Sequence, residues 1–259
     1  MKKYIFILLA ASSLLNAESG KMETGIKLGY GINPPGRFEQ NLGNYHSNSV
    51  VPGNTSVNYP GDVAHSEILF NIGLDSRYKL GFALGYTGFG KYTVSEWNLW
   101  GEYTTLGLGM NTTFAMFTWH YERPVLQKNY SMEAGFGIGF NQTAIAVSGW
   151  RKSIFGLREI SGRLEGTGLQ FMADASINRK MSDMTKLKLG IQVNRTVVDF
   201  FDGVLNDSGG SFYIQGDGTL SQMSFEQFAS YQNNNQNFGR KIDLDTATAV
   251  LYLAGFLVF

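Results

Sequence analysis

Imidazole, hydroxyl and carboxylate side chains are where this chain could do chemistry, and few of them stand in useful order. The histidines are His46, His65 and His120, and cysteine is absent from all 259 residues. No two histidines have metal-ligand spacing, so neither a zinc site nor any other metal or cofactor is expected. His46-Ser47 and His65-Ser66-Glu67 bring together the residue types of an activated serine nucleophile. Asp199, Asp202, Asp207 and Asp217 are scattered without the fixed spacing of a calcium loop, and solvation of a loop accounts for them. Gly135-Phe136-Gly137-Ile138-Gly139 supplies the glycines of a dinucleotide turn. That fingerprint needs a helix after it, and here a two-residue alternation runs on through Phe140.

The elements that would carry these residues begin with an export signal. Lys2 and Lys3 precede an apolar run from Tyr4 to Leu15, and Asn16-Ala17-Glu18 reads as a cleavage site. Twelve residues are too few to span a bilayer as a helix, which needs roughly 20. Residues 1–17 are therefore expected to be a cleaved signal peptide and residues 18–259 a single domain. Lysine plus arginine and aspartate plus glutamate each number 21, so no basic excess points to nucleic acid. Glycine is abundant at 32 residues and proline scarce at 5, four of them between Pro34 and Pro60. Proline cannot donate to a sheet ladder, so most of the chain is free to be strand.

Apolar residues then recur at every second position. Met22, Ile26, Leu28, Tyr30 and Ile32 alternate with Glu23, Gly25, Lys27, Gly29 and Gly31. Successive strand side chains point to opposite faces, so one face is greasy and the other small or charged. The pattern returns in segments centred on Phe70, Leu84, Leu108, Phe136, Ala173, Leu189 and Leu253, which makes eight strands. Phe114 to Phe117 is apolar on both faces, so a bulge is expected there. Around Arg77 the register is expected to set Leu74 opposite Leu80 and Phe70 opposite Leu84. Around Met181 it is expected to set Ala175 opposite Leu187 and, on the other face, Asp174 opposite Lys188.

Connections alternate in length. Residues 33–64, 88–102, 142–164 and 200–242 read as long loops, whereas Ser76 to Tyr78, Tyr121 to Asn129 and Asn178 to Asp183 read as short turns. Within the last loop, Leu220, Met223, Phe225, Phe228 and Tyr231 lie near helical spacing, with Thr219 and Gln222 as a capping box. The non-greasy face is mostly Gly, Ala, Thr and Asn, which suits the crowded inside of a narrow barrel better than solvent. Tyr78, Tyr121, Tyr130 and Phe259 lie at the turn ends of strands and Tyr30, Tyr86 and Phe140 near the loop ends, as in two interfacial girdles. The expected fold is all-β: a transmembrane antiparallel up-and-down barrel of eight strands with long extracellular loops.

The signal, the eight alternating strands and a last strand ending in Phe259 resemble the small bacterial outer-membrane β-barrel family, of the OmpA transmembrane-domain and OmpX type. The resemblance implies a cell outer-membrane location, contact with outer-membrane lipid and lipopolysaccharide, and an assembly signal in Leu251, Leu253, Leu257 and Phe259 for the barrel-assembly machinery. Unlike those relatives, the chain has very long first and fourth loops, and its last strand is apolar on both faces. Lipid A deacylases and palmitoyltransferases share the architecture and use His, Ser and an acid. The deacylases, however, set His and Ser one residue apart on a strand, and His46 reads as a loop residue. The palmitoyltransferase-like Asp75-Ser76 falls at a periplasmic turn, away from outer-leaflet lipid. The leading expectation is thus a non-enzymatic surface barrel, structural or adhesive, contacting an extracellular ligand or host surface through its loops. A narrow porin-like channel is the alternative. Which holds turns on Glu23, Lys27, Glu67, Glu133, Asp174 and Lys188, expected to face the lumen, where Glu133, Asp174 and Lys188 would form an ion-pair network.

Overall fold

The structure, a computed structural model, describes residues 20–46, 54–125, 129–206, 210–235 and 239–259. The signal segment 1–17 and its cleavage site lie outside the described residues. In chain order the elements are β1 (Met22–Ile32), α1 (Arg37–Gly43), β2 (Asn54–Asn58), β3 (Asp62–Gly73), β4 (Tyr78–Trp97), β5 (Tyr103–Pro124) and β6 (Tyr130–Ser153). They continue with β7 (Gly156–Lys180), β8 (Thr185–Val198), β9 (Asp202–Leu205), β10 (Ser211–Ile214), β11 (Leu220–Met223), α2 (Phe225–Asn235), β12 (Arg240–Lys241) and β13 (Leu244–Val258).

Eight of these strands close a ring. Each of β3 to β8 pairs antiparallel with its sequence neighbours in the ring, β8 pairs with β13, and β13 pairs with β1. Backbone bonds between Met22 and Phe259 finish the β1–β13 seam. Closure leaves no ladder edge, which is what a sheet in a bilayer requires. The outer face carries the greasy residues of the alternation: Ile26, Leu28, Phe117, Phe136, Ile138, Ile177, Leu189, Ile191 and Leu253 are all exposed. Lys27, Glu67, Lys188 and Gln192 on the other face are buried.

Glycines on the inner face make room for bulky partners across the ladder. Gly25 is paired with Phe256, Gly29 with Tyr252 and Gly85 with Phe114. A Cβ at any of the three would strike the partner's side chain or one beside it. This is why β13 can be apolar on both faces: Val250, Tyr252 and Phe256 fill the lumen opposite glycines of β1.

The structure corrects four sequence expectations. First, residues 88–102 and 142–164 are not loops, because β4 to β7 run on as two long hairpins to turns at Asn98–Glu102 and Ser153–Gly156. The alternation persists there with its polarity reversed. Val94, Leu106, Leu108, Ile145, Val147, Ile160 and Leu164 point inward and are buried, while Thr93, Gln142, Ser148, Arg163 and Glu165 occupy the outer phase. Outside the bilayer a sheet must face water, so its greasy face turns in. Second, the hairpin registers keep the expected parity but slide. Ile72 pairs with Leu80 and Phe70 with Phe82, and Ala175 pairs with Ile191 and Asp174 with Gln192. At the first hairpin β3 stops at Gly73 and the turn moves back to residues 74–77, whereas at the second β7 runs on to Lys180 and the turn moves forward to residues 181–184. Third, β5 has no bulge at Phe114–Phe117, and the register shift lies in β4 between Gly88 and Lys91. Both faces of β5 are apolar there because Phe114 and Met116 fill the lumen. Fourth, the helix of the last connection starts at Phe225. Ser224 and Gln227 form its reciprocal cap, and Leu220 to Met223 is strand β11. The main-chain pairing of Ser211–Ile214 with Leu220–Met223 takes precedence over the helical spacing.

Candidate functional site

The lumen has three storeys. The lowest, toward the short turns, is ionic. Lys188 Nζ lies 2.7 Å from Glu133 Oε1 and 3.1 Å from Asp174 Oδ2. Lys79 Nζ lies 2.9 Å from Glu23 Oε1 and 3.3 Å from Glu133 Oε2, and also pairs with Glu122. Lys186 Nζ reaches Glu122 Oε2 at 3.0 Å and Glu23 Oε1 at 3.4 Å. Asn178 Nδ2 donates to Glu133 Oε2 at 3.0 Å, and the Tyr252 hydroxyl donates to Asp174 Oδ2 at 2.7 Å. His120 Nδ1 stands 3.1 Å from Glu133 Oε1.

The middle storey continues this network upward. Lys27 Nζ pairs with Glu67 Oε2 at 2.7 Å, and His65 Nε2 meets Glu67 Oε1 at 2.7 Å. Gln192 accepts from Lys27 and donates to Glu67 Oε1 at 2.6 Å, so its amide closes the ring. The Lys27 ammonium also lies 4.5 Å from the centre of the Tyr252 ring. Thr112, Thr143, Asn141, Gln170 and Thr196 add neutral hydrogen bonds above. Across the two storeys, the carboxylates of Glu23, Glu67, Glu122, Glu133 and Asp174 face the ammonium groups of Lys27, Lys79, Lys186 and Lys188. Charges withdrawn from water are tolerable only when paired in this way.

The top storey is apolar. The extended hairpins enclose a core into which the first and last connections dip. Phe38 and Leu42 of α1 are fully buried, and Phe38 packs edge-on against Tyr92 with ring centres 5.6 Å apart. Tyr45 meets Phe212 of β10 in the same manner at 6.2 Å. Glu39 is held in this core by the Tyr92 hydroxyl and by Asn33 Nδ2, each at 3.0 Å. The connections form a cap whose apolar underside continues the barrel core.

All six sequence-predicted lumen residues are inside, in two groups. Glu133, Asp174, Lys188 and Glu23 join the lower network, and Lys27 and Glu67 the middle one. Asp174 and Lys188 meet diagonally rather than as a direct pair. Sequence reasoning missed Lys79 and Glu122 because each stands at a strand end that was read as turn or loop border, whereas Lys186 was placed on the inner face of β8 but not singled out as part of the network. Their parity gives them away: Lys79 falls between the outward Tyr78 and Leu80, and Glu122 follows the outward Trp119 and Tyr121. Gln192 was read only as one of the small and polar positions of β8. The predicted assembly residues Leu251, Leu253, Leu257 and Phe259 all face outward and are at least half exposed.

The catalytic candidates are not assembled. His65 lies in β3 with its ring turned into the lumen, bonded to Thr87 Oγ1 at 2.9 Å as well as to Glu67. Ser66, the next residue along the strand, points to the opposite face. His46 bonds Glu96, and Ser47 lies outside the described residues. Asp75 takes the backbone N–H groups of Arg77 and Tyr78 at 2.6 and 2.7 Å, which holds its carboxyl below the usual range and commits it to the turn.

A closed ring of eight antiparallel strands, greasy outside and ion-paired inside, defines a transmembrane antiparallel β-barrel. Among solved structures, the chain is similar to Neisserial surface protein A at 9% identity and a TM-score of 0.35, over 93% of this chain and 97% of that one. It is similar to the outer membrane protein OprG from Pseudomonas aeruginosa at 7% identity and a TM-score of 0.36, over 93% and 96%. No protein-family model and no curated protein sequence matches the chain. At such overlap the barrel class rests on the strand pairing and burial described above.

Proposed function

We propose that this protein is an integral outer-membrane barrel with a filled, non-conducting lumen, whose extended hairpins act in surface interaction. The observation that carries the reading is the succession of buried ion pairs, polar side chains and then an apolar core along the interior. A conducting pore needs a continuous water path, and eight strands enclose only enough room for side chains. The supporting topology puts the long hairpins outside the cell and the short turns in the periplasm, as the asymmetry of connection lengths has it. A non-enzymatic role is supported by the separation of His65 from Ser66 across the sheet.

Two measurements test this. Refolded protein in planar bilayers is expected to show no steady single-channel conductance, and discrete openings would favour the porin-like channel instead. Because the chain lacks cysteine, single replacements report topology cleanly. Leu99→Cys and Phe155→Cys should react with a membrane-impermeant maleimide on intact cells, and Ser76→Cys and Ser182→Cys should not. The reverse pattern would invert the proposed orientation.

A further inference from the structure

A groove crosses the outer face of the belt along a single row of cross-strand partners. The pairings Tyr121–Ala134, Ala134–Ala175, Ala175–Ile191 and Ile191–Leu251 carry it over five strands, from β5 to β13. Its floor lies at Ala134 and Ala175, paired on β6 and β7 with their methyl groups outward. Met132, Ile177 and Leu189 of the next row, each more than half exposed, form the wall toward the short turns. Trp119 and Phe136, in contact with ring centres 5.7 Å apart, bound it on the other side.

The row is inclined to the membrane. On β5 Tyr121 is the last outward apolar residue before Arg123, whereas on β13 Leu251 is followed by Leu253, Leu257 and Phe259 before the strand reaches the same margin. The groove thus climbs from the turn-side margin of the belt at β5 to its middle at β13, as the strand tilt of a closed barrel requires. Five strands at about 4.8 Å spacing make the row about 19 Å long, and a tilt of about 40° gives it a rise of roughly 12 Å, within one leaflet of the hydrocarbon core.

Charge marks the low end. Arg123 lines the groove where it meets the margin, and Arg179 stands on the far side of β6 with its guanidinium 5.6 Å from the centre of the Tyr130 ring. Both are exposed, and neither has a carboxylate at ion-pair distance among the described residues. At the loop end of the same face, the outward Arg163 and Arg195 are neutralised by Glu165 at 2.6 Å and Asp245 at 2.8 Å.

We infer that the groove seats an acyl chain of an anionic glycerophospholipid whose phosphate lies at Arg123 and Arg179. An apolar channel that starts beside two unneutralised cations and ends at mid-bilayer depth has the layout of a lipid, headgroup at the margin and chain toward the centre. A second copy seated here by its own like face, inserted in the same sense, would instead set four guanidinium groups at one level with no carboxylate between them. The inference rests on the integral-barrel reading proposed above, and the orientation proposed there makes this a lipid of the periplasmic leaflet.

The belt contains a single tryptophan, Trp119, since Trp97, Trp100 and Trp150 lie on the long hairpins beyond it. Phenylalanine at those three positions leaves Trp119 as a reporter at the groove's edge, in the full chain refolded into phosphatidylcholine bilayers. Brominated phosphatidylglycerol is expected to quench it with a relative binding constant roughly tenfold above that of brominated phosphatidylcholine. Arg123→Gln/Arg179→Gln should remove this preference. Ala134→Leu/Ala175→Leu, which fills the floor from outside, should remove it while leaving both cations in place. Arg195→Gln at the loop end should keep it. Heat-modifiable mobility on gels identifies the variants that are folded and can be compared. Equal quenching by the two lipids in the folded reporter overturns the inference. So does a preference that survives in folded Ala134→Leu/Ala175→Leu, since the arginines would then act on surrounding lipid without a seat. Efficient disulfide formation between copies of Ala175→Cys in the bilayer would make a second barrel the occupant and overturn it as well. Labelling of Ser76→Cys on intact cells would overturn the leaflet assigned without touching the lipid preference, so the two readings fail separately.

Discussion

Glu133 is the hub of the lower lumen, within 3.5 Å of the ammonium groups of Lys79, Lys186 and Lys188 and bonded to Asn178. Asp174 has a smaller share, with Lys188 and the Tyr252 hydroxyl. Removing one partner of a buried pair costs more than the pair contributes, because the survivor is left charged and dry. Glu133→Gln is therefore expected to destabilise the refolded barrel by about 4 kcal/mol in urea unfolding. Asp174→Ala, which leaves Lys188 its 2.7 Å contact to Glu133, should cost about 2 kcal/mol. Costs below about 1 kcal/mol for both would mean that water reaches these groups, and the filled lumen would be wrong.

Strands that share a lumen this narrow must choose where to place bulk. At Gly139 of β6 a Cβ would overlap the Ala115 carbonyl of β5, and main chain cannot swing aside. At Gly255 of β13, on the lipid side, nothing lies within 4 Å. Gly139→Ala should thus lower stability by about 2 kcal/mol. Gly255→Ala should be neutral or stabilise by up to about 0.5 kcal/mol, since it removes freedom only from the unfolded chain. Urea midpoints of the two single variants, in one lipid, give the comparison; equal losses would contradict the inner-face crowding. The same crowding explains why glycine and aromatic residues alternate across the β1–β13 seam.

The molecule as a whole joins two solvents in one sheet. Inside the bilayer its greasy face is outward, and above the bilayer the same strands turn that face inward around a core of the kind found in water-soluble proteins. The proposed closure of the lumen is accordingly double: ion pairs below and the α1-bearing cap above. Phe38→Ala should remove a fully buried ring from the cap and cost about 3–4 kcal/mol. It should not open a channel, because the ionic storeys lie beneath it. Bilayer recordings of this variant are expected to stay silent. Steady conductance would show that the cap alone seals the barrel.

What the sequence determined by itself was the face of nearly every residue in the belt. A period of two needs only neighbours along the chain, so Glu23, Lys27, Glu67, Glu133, Asp174 and Lys188 could be placed inside from their parity alone. Register was less accessible, since sliding a strand by two residues preserves every face, and both hairpins slid without disturbing the pattern. Strand length was least accessible. β4 to β7 exchange their inner and outer chemistry on leaving the bilayer, and a reader following greasy-outward alternation stops there. Only the tertiary structure decides which charges meet. Glu122 stands directly opposite Glu133 in the β5–β6 pairing, but Lys79 and Lys186 come to Glu133 because the closed ring turns positions from β4, β6 and β8 toward one axis, and such convergence depends on closure rather than on spacing along any strand. The link between the two hairpin turns belongs to the same class, since Glu102 Oε1 accepts from the Ile154 N–H at 3.2 Å only when the two hairpins rise side by side.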